Sequence, residues 1–275
     1  MKPIYVRDFM SSNVYDMRNK SVVVTGASSG FGHHFAGVLA DAGATVILGA
    51  RRVDKINARV KEIEAQGGKA IGIELDVNDV DSVNSFLDQA AAFNKTVNDS
   101  EQINVLVNNA GVEAGAKTYM MIDEQDWDHV FNTNLKSIWR LSKLFTERHS
   151  EKSKKGDTAS IVNIASITAF RTIKGQFPYA VSKAALIKAT EIMALEGSKY
   201  GVRVNALAPG YFLTDVSRVL LESEMSESFK KGIPMRRYGE FPDLDGPLLL
   251  LASDASRYMT GSTIVVDGGH ICSEL

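Results

Sequence analysis

The chain has 275 residues, 44% of them hydrophobic, and a formal net charge of -2 at pH 7. That length and apolar content suffice for one large α/β domain, and so balanced a charge gives no footing for a nucleic-acid or membrane-surface partner. The sole cysteine, Cys272, excludes an internal disulfide and a cysteine-cluster metal site, which fits a reducing, cytoplasmic setting with no metal.

Residues 1–19 read as an extra arm ahead of a domain covering 20–275. They scatter Lys2, Arg7, Asp8, Asp16 and Arg18 among apolar residues and so lack the apolar core of a signal peptide. The run Ser21-Val22-Val23-Val24 reads as a buried strand. It leads at once into Thr25-Gly26-Ala27-Ser28-Ser29-Gly30-Phe31-Gly32 and then a helical pattern from His33 to Ala42. Strand, glycine turn and helix together suit a nucleotide: Gly26, Gly30 and Gly32 let the backbone approach a pyrophosphate, and the helix N-terminus faces its charge. The spacing G-x-x-x-G-x-G departs from G-x-G-x-x-G, and a tight turn without a ligand is the plain alternative.

Further apolar runs near 44–50, 69–75, 103–107, 159–165, 202–207 and 263–266 alternate with helical segments. The alternation predicts a single-domain α/β fold, a doubly wound parallel sheet of about seven strands with helices on both faces. Two polar stretches, Asn94 to Gln102 and His149 to Thr158, read as solvated loops. The run Leu248 to Ala252 is far too short to cross a bilayer.

Tyr179-Ala180-Val181-Ser182-Lys183 sets a phenol and an ammonium four residues apart on one helical face. Acid-base work by a phenol at neutral pH needs phenolate favoured by roughly 4 kcal/mol, and a neighbouring cation is expected to supply it. On spacing alone such a pair is also what an ordinary surface helix shows.

Glycine turn and Tyr-Lys pair together resemble the short-chain dehydrogenase/reductase family, and the likeness runs through nearly the whole chain. It is carried by Gly26-x-x-x-Gly30-x-Gly32, Asn108-Asn109-Ala110-Gly111, Asn134, Ser166, Tyr179-x-x-x-Lys183, Pro209-Gly210 and Val266-Asp267-Gly268-Gly269, in that order. The resemblance implies a Rossmann-type fold and hydride transfer between a nicotinamide and a carbonyl carbon. Tyr179 would be the acid, Lys183 would lower its pKa and hold the nicotinamide ribose, Ser166 would fix the carbonyl oxygen, and Asn134 would bind a water linking Lys183 to solvent. It further implies Asp76 and Val77 near the adenine, Asn109, Ala110 and Gly111 along its ribose, and Pro209, Gly210, Phe212 and Thr214 on the nicotinamide side.

Charge argues for the cofactor. An NAD enzyme carries an acid about 20 positions beyond the glycine turn, whereas a 2′-phosphate needs a cation. The second strand ends in Arg51-Arg52 with no acid there; Arg51 is expected to pair with the 2′-phosphate and Ser28 and Ser29 could add hydrogen bonds, so NADP(H) is expected and NAD(H) remains open. NADP(H) in turn points to reduction of a 3-oxoacyl or general carbonyl compound. A sugar or polyol dehydrogenase is the alternative, followed by a dinucleotide-binding protein without turnover. The substrate would lie against Ile167-Thr168-Ala169-Phe170 and beneath a lid at about 211–231, with Arg171 and Lys174 available to draw an acidic compound. Residues 184–195 are apolar almost all round, so one helical face is left over for a subunit contact. With helix 127–146 and the last strand, the resemblance implies a homotetramer.

Overall fold

The computed structural model describes residues 14–154, 156–214 and 226–273. Its strands are β1 (Ser21–Thr25), β2 (Thr45–Ala50), β3 (Lys69–Glu74), β4 (Val105–Asn108), β5 (Ala159–Ile164), β6 (Val202–Pro209) and β7 (Thr263–Val266). They form one seven-stranded sheet in the order β3-β2-β1-β4-β5-β6-β7, and every pairing is parallel. The helices are α1 (Gly30–Asp41), α2 (Val53–Ala65), α3 (Val80–Asn98), α4 (Glu124–Phe131), α5 (Ser137–Lys152), α6 (Phe177–Gly197), α7 (Ser226–Lys231) and α8 (Asp245–Ala252).

Strand alternation sorts the core into two layers. Val22 and Val24 of β1 pack with Phe35 and Leu39 of α1 and Leu248 and Leu251 of α8, while Val23 between them packs with Phe86 of α3 and Leu141 and Phe145 of α5. Helices therefore cover both faces, which is why β1 and β2 are buried at every position. No helix among the described residues is long and apolar enough to cross a membrane.

The structure corrects three boundaries. Asn94 does not begin a solvated loop: α3 runs on to Asn98, and Asn94 is buried there. Its amide accepts from Ser21 Oγ and from Asn98 Nδ2 at 2.7 Å, and donates to Gln102 O at 2.9 Å. Polar residues at this helix end serve the amino ends of β1 and β2 rather than solvent. The second polar stretch likewise starts inside α5, where His149 is buried with its Nδ1 3.0 Å from Gln102 Nε2. The helix expected over 127–146 is interrupted by a π-helical turn, Asn132–Lys136, between α4 and α5. Residues 1–13 of the arm lie outside the described residues. Of its remainder, Met17 is sunk in the core beside α1, with its N–H bonded to Ala42 O at 2.9 Å.

Candidate functional site

Strand order reverses at β1, whose neighbours are β2 on one side and β4 on the other, so the connections leaving β1 and β4 diverge and open a crevice at the carboxyl edge. A side-chain clamp sets its floor. Thr25 Oγ1 accepts from Asn109 N and Ala110 N, both at 3.0 Å, and Asn109 Nδ2 donates to Thr25 O at 2.9 Å and Gly26 O at 3.3 Å. The glycines follow from this. A Cβ on Gly32 would stand 2.4 Å from Asn109 Nδ2, and Gly26, at φ +66°, would push one to 2.8 Å from Ala110 Cα.

At one end of the crevice Ser29 caps α1 without a side-chain bond to the helix, leaving the first-turn N–H groups for another acceptor. Arg52 instead donates to Ser28 Oγ (2.8 and 3.1 Å) and Ser29 Oγ (2.7 Å), and Arg51 stands beside it. Gly30, at φ +56°, faces open space where a side chain would otherwise project. Helix amides, two hydroxyls and two guanidiniums make a donor-only cradle that fits a dinucleotide with a further phosphate. Asp76 and Val77 line the adjoining wall, with Asp76 Oδ1 accepting from Asn78 N at 2.9 Å.

At the other end Ser166, Tyr179 and Lys183 converge with Gly111, Pro209, Gly210 and Thr214. Pro178 opens α6, where its missing N–H costs nothing, and the helix carries Tyr179 and Lys183 up to the end of β5. Lys183 is 4% exposed and its Nζ donates to Ile164 O at 2.7 Å, lying 5.6 Å from the centroid of the Tyr179 ring. Ser166 Oγ accepts from Thr168 N at 3.2 Å and Thr168 Oγ1 at 3.0 Å, so its own hydrogen is turned to the cleft side, toward Tyr179.

Asn134 sits in the π-turn, fully buried, with its amide clamped on Val112: Oδ1 accepts from Val112 N and Nδ2 donates to Val112 O, each at 2.9 Å. Nδ2 also donates to Ser182 Oγ at 3.2 Å. Three expected cofactor or catalytic residues do not line the cleft. Asn134 is tied beneath it, Gly32 lies under Asn109, and Phe212 is buried edge-on to Phe31, at 5.4 Å between centroids. The 215–225 part of the expected lid lies outside the described residues.

The electrostatics invert one expectation. Burial, then the charge of Glu113, hold the Tyr179 phenol above its ordinary value, against the lowering effect of a Ser166 hydrogen bond. Lys183 is not the group that decides it. Burial depresses Lys183 itself to about 8, which disfavours the ammonium by roughly 3 kcal/mol, with Glu113 pulling the other way. Glu113 was not singled out from the sequence, although it stands two residues past Gly111; it lines the cleft and burial raises its carboxyl, partly opposed by Lys183. Arg171 is not free to greet a substrate, because its Nη1 donates to His270 O and Ser273 Oγ, each at 2.6 Å.

The family described as Enoyl-(Acyl carrier protein) reductase matches residues 26–270. The chain belongs to the short-chain dehydrogenase/reductase family. It is 35% identical to a 3-oxoacyl-acyl-carrier-protein reductase of Staphylococcus epidermidis over 253 residues, 91% of this chain and 98% of the relative. It is 33% identical to 2-dehydro-3-deoxy-D-gluconate 5-dehydrogenase of Escherichia coli over 263 residues, 95% of this chain and 99% of the relative. The crystal structure of a gluconate 5-dehydrogenase from Burkholderia cenocepacia, in complex with NADP and tartrate, superposes with a TM-score of 0.86 at 28% identity, covering 95% of this chain and 98% of the other.

Lysine 13Cε resonances followed by NMR in the free protein should show one group titrating near pH 8, assigned by its loss in Lys183→Arg. Since the folded chain releases this proton before the unfolded chain does, stability from this group rises with pH between about 8 and 10.5. If every lysine titrates near 10.5, Lys183 is not desolvated as described.

Proposed function

We propose that the protein is an NADP(H)-dependent oxidoreductase that interconverts a ketone and a secondary alcohol, working as a reductase of 3-oxoacyl or other carbonyl compounds. The observation that carries this reading is the convergence of Ser166, Tyr179 and Lys183 at the carboxyl edge of the sheet, with the phenol held in its protonated, proton-giving form. A nicotinamide held in this cleft would supply a hydride to the carbonyl carbon. The chain does the remaining work: Ser166, its hydroxyl turned outward by Thr168, holds the carbonyl oxygen, and Tyr179 gives that oxygen its proton as negative charge develops. Lys183, near the edge of its own titration, restores the phenolic proton and holds the ribose. Asn134 keeps the floor rigid by fixing Val112.

The phosphate cradle supports NADP(H) over NAD(H), with Arg52 rather than Arg51 as the seated cation. Sugar-acid dehydrogenation is the second reading, favoured by the likeness to the gluconate-type enzymes. Exposed Cys272 without a disulfide partner supports a cytoplasmic setting, which cell fractionation checks.

Replacing Arg52 by aspartate should weaken NADPH binding at least about tenfold in calorimetry while NADH binding persists, because charge-assisted hydrogen bonds are lost and repulsion is added. Equal loss for both nucleotides would remove the 2′-phosphate assignment. Tyr179→Phe keeps the ring but deletes the proton donor, so NADPH oxidation across a ketone panel should fall at least about 10²-fold with NADPH still bound. Wild-type turnover in that variant would transfer the proton to another group.

A homotetramer is the assembly we favour. Trp139 on α5 and Ile192 and Leu195 on α6 are large apolar side chains left 53%, 50% and 78% exposed. Light scattering should give four times the 30.0 kDa chain mass, and a monomer at micromolar concentration would refute it.

A further inference from the structure

Glu113 is an acid held where the reaction described above has no use for one. It leaves β4 two residues after Gly111 and lines the same cleft as Ser166, Tyr179 and Lys183. The preceding residue is immobilised at both its N–H and its carbonyl by Asn134, so the carboxylate starts from a fixed stem rather than a loose loop. Among the described residues it has neither a hydrogen-bond nor an ion-pair partner, although it acts electrostatically on both Tyr179 and Lys183. The residue is open to solvent, and in a ligand cleft the donors it lacks can come from the ligand.

Among the described residues Lys183 is the one cation whose charge acts on it. Arg171 is bound to His270 and Ser273, Lys117 to Asp126 at 2.5 Å, and Lys183 to Ile164 O. Lys174 is exposed in the loop before α6. A carboxylate beside the reacting carbonyl would meet a like charge that Lys183 offsets only in part, and such repulsion is a standard means of rejecting a competitor. A hydroxyl or ammonium at the same place would donate to it.

We propose that Glu113 sets substrate specificity: it turns away carbonyl compounds bearing a carboxylate next to the reacting group and selects neutral ones, or ones carrying hydroxyl or ammonium donors there. The proposal rests on the reductase reading and deepens it, since it favours a neutral acyl-type or hydroxylated ketone over a sugar acid.

The test is a matched pair, ethyl acetoacetate and acetoacetate, reduced with NADPH by the wild type, Glu113→Gln and Glu113→Ala. Wild-type kcat/KM should favour the ester, and both variants should move the ester-to-acid ratio toward the acid by at least about tenfold. The ratio is the informative readout, because a merely structural role for Glu113 would lower both members together. Two variants guard against one of them failing to fold. An unchanged ratio, or a wild type that takes the acid at least as well as the ester, overturns the proposal while leaving the reductase reading in place. If no ketone is reduced by any form, the reductase reading falls instead. Selectivity is then decided by calorimetric binding of ethyl 3-hydroxybutyrate against 3-hydroxybutyrate to the NADP-loaded protein, with the same expected and overturning outcomes.

Discussion

The clamp between Thr25 and Asn109 is the contact on which the site depends. It joins the carboxyl ends of β1 and β4, the two strands between which the chain changes direction, using one hydroxyl and one amide to satisfy main-chain groups that the sheet leaves unpaired there. Once the amide is in place, Gly26 and Gly32 have no room for a side chain, α1 must start close to the sheet, and its free N–H groups face the crevice. The phosphate cradle and the catalytic floor are in this sense one construction. Asn109 is thereby a structural residue at the cofactor cleft, whose side-chain donors are engaged by the protein itself.

A second clamp, Asn134 on Val112, organises the other half. The π-turn places this amide on the inner side of the α4–α5 rod and also reaches Ser182 on α6, so the loop after β4, the rod and the helix bearing Tyr179 are fastened at one point. A buried amide with its donors and acceptor occupied rigidifies its surroundings more than an apolar residue would, because any shift leaves a polar group unmatched. Rigidity here is useful, since hydride and proton must reach adjacent atoms of one substrate.

Within that frame desolvation outweighs charge pairing. The helical spacing of Tyr179 and Lys183 suggests a cation tuning a phenol, but the ammonium is turned to Ile164 O and is itself close to losing its proton. A lysine so placed is a proton carrier more than a fixed charge. Burial keeps the phenol protonated, and Glu113 adds to the effect, which suits giving a proton to a carbonyl oxygen. One carboxylate thus bears on both the acid-base pair and the kind of substrate that can approach it.

What the sequence by itself determined was whatever depends on period and local chain chemistry. The seven apolar runs became the seven strands because strands covered on both faces are apolar over most of their length. The glycine turn, the Arg51-Arg52 end of β2 and the Tyr179-Lys183 spacing landed together on the carboxyl edge because parallel βα units all deliver their loops there. Tertiary structure alone decided matters that turn on which distant groups meet. Asn94 and His149 look like loop residues until β1 and Gln102 are brought beside them, since polarity is the same whether an amide faces water or a buried partner. Arg52 rather than Arg51 reaches Ser28 and Ser29, a choice set by where α2 begins rather than by residue type. Phe212 leaves the cleft because Gly239, with no side chain, makes room for its ring in the core. Glu113 belongs to the same class. Nothing in its neighbours marks it as a cleft residue, and only the loop fixed by Asn134 carries its charge to Tyr179 and Lys183.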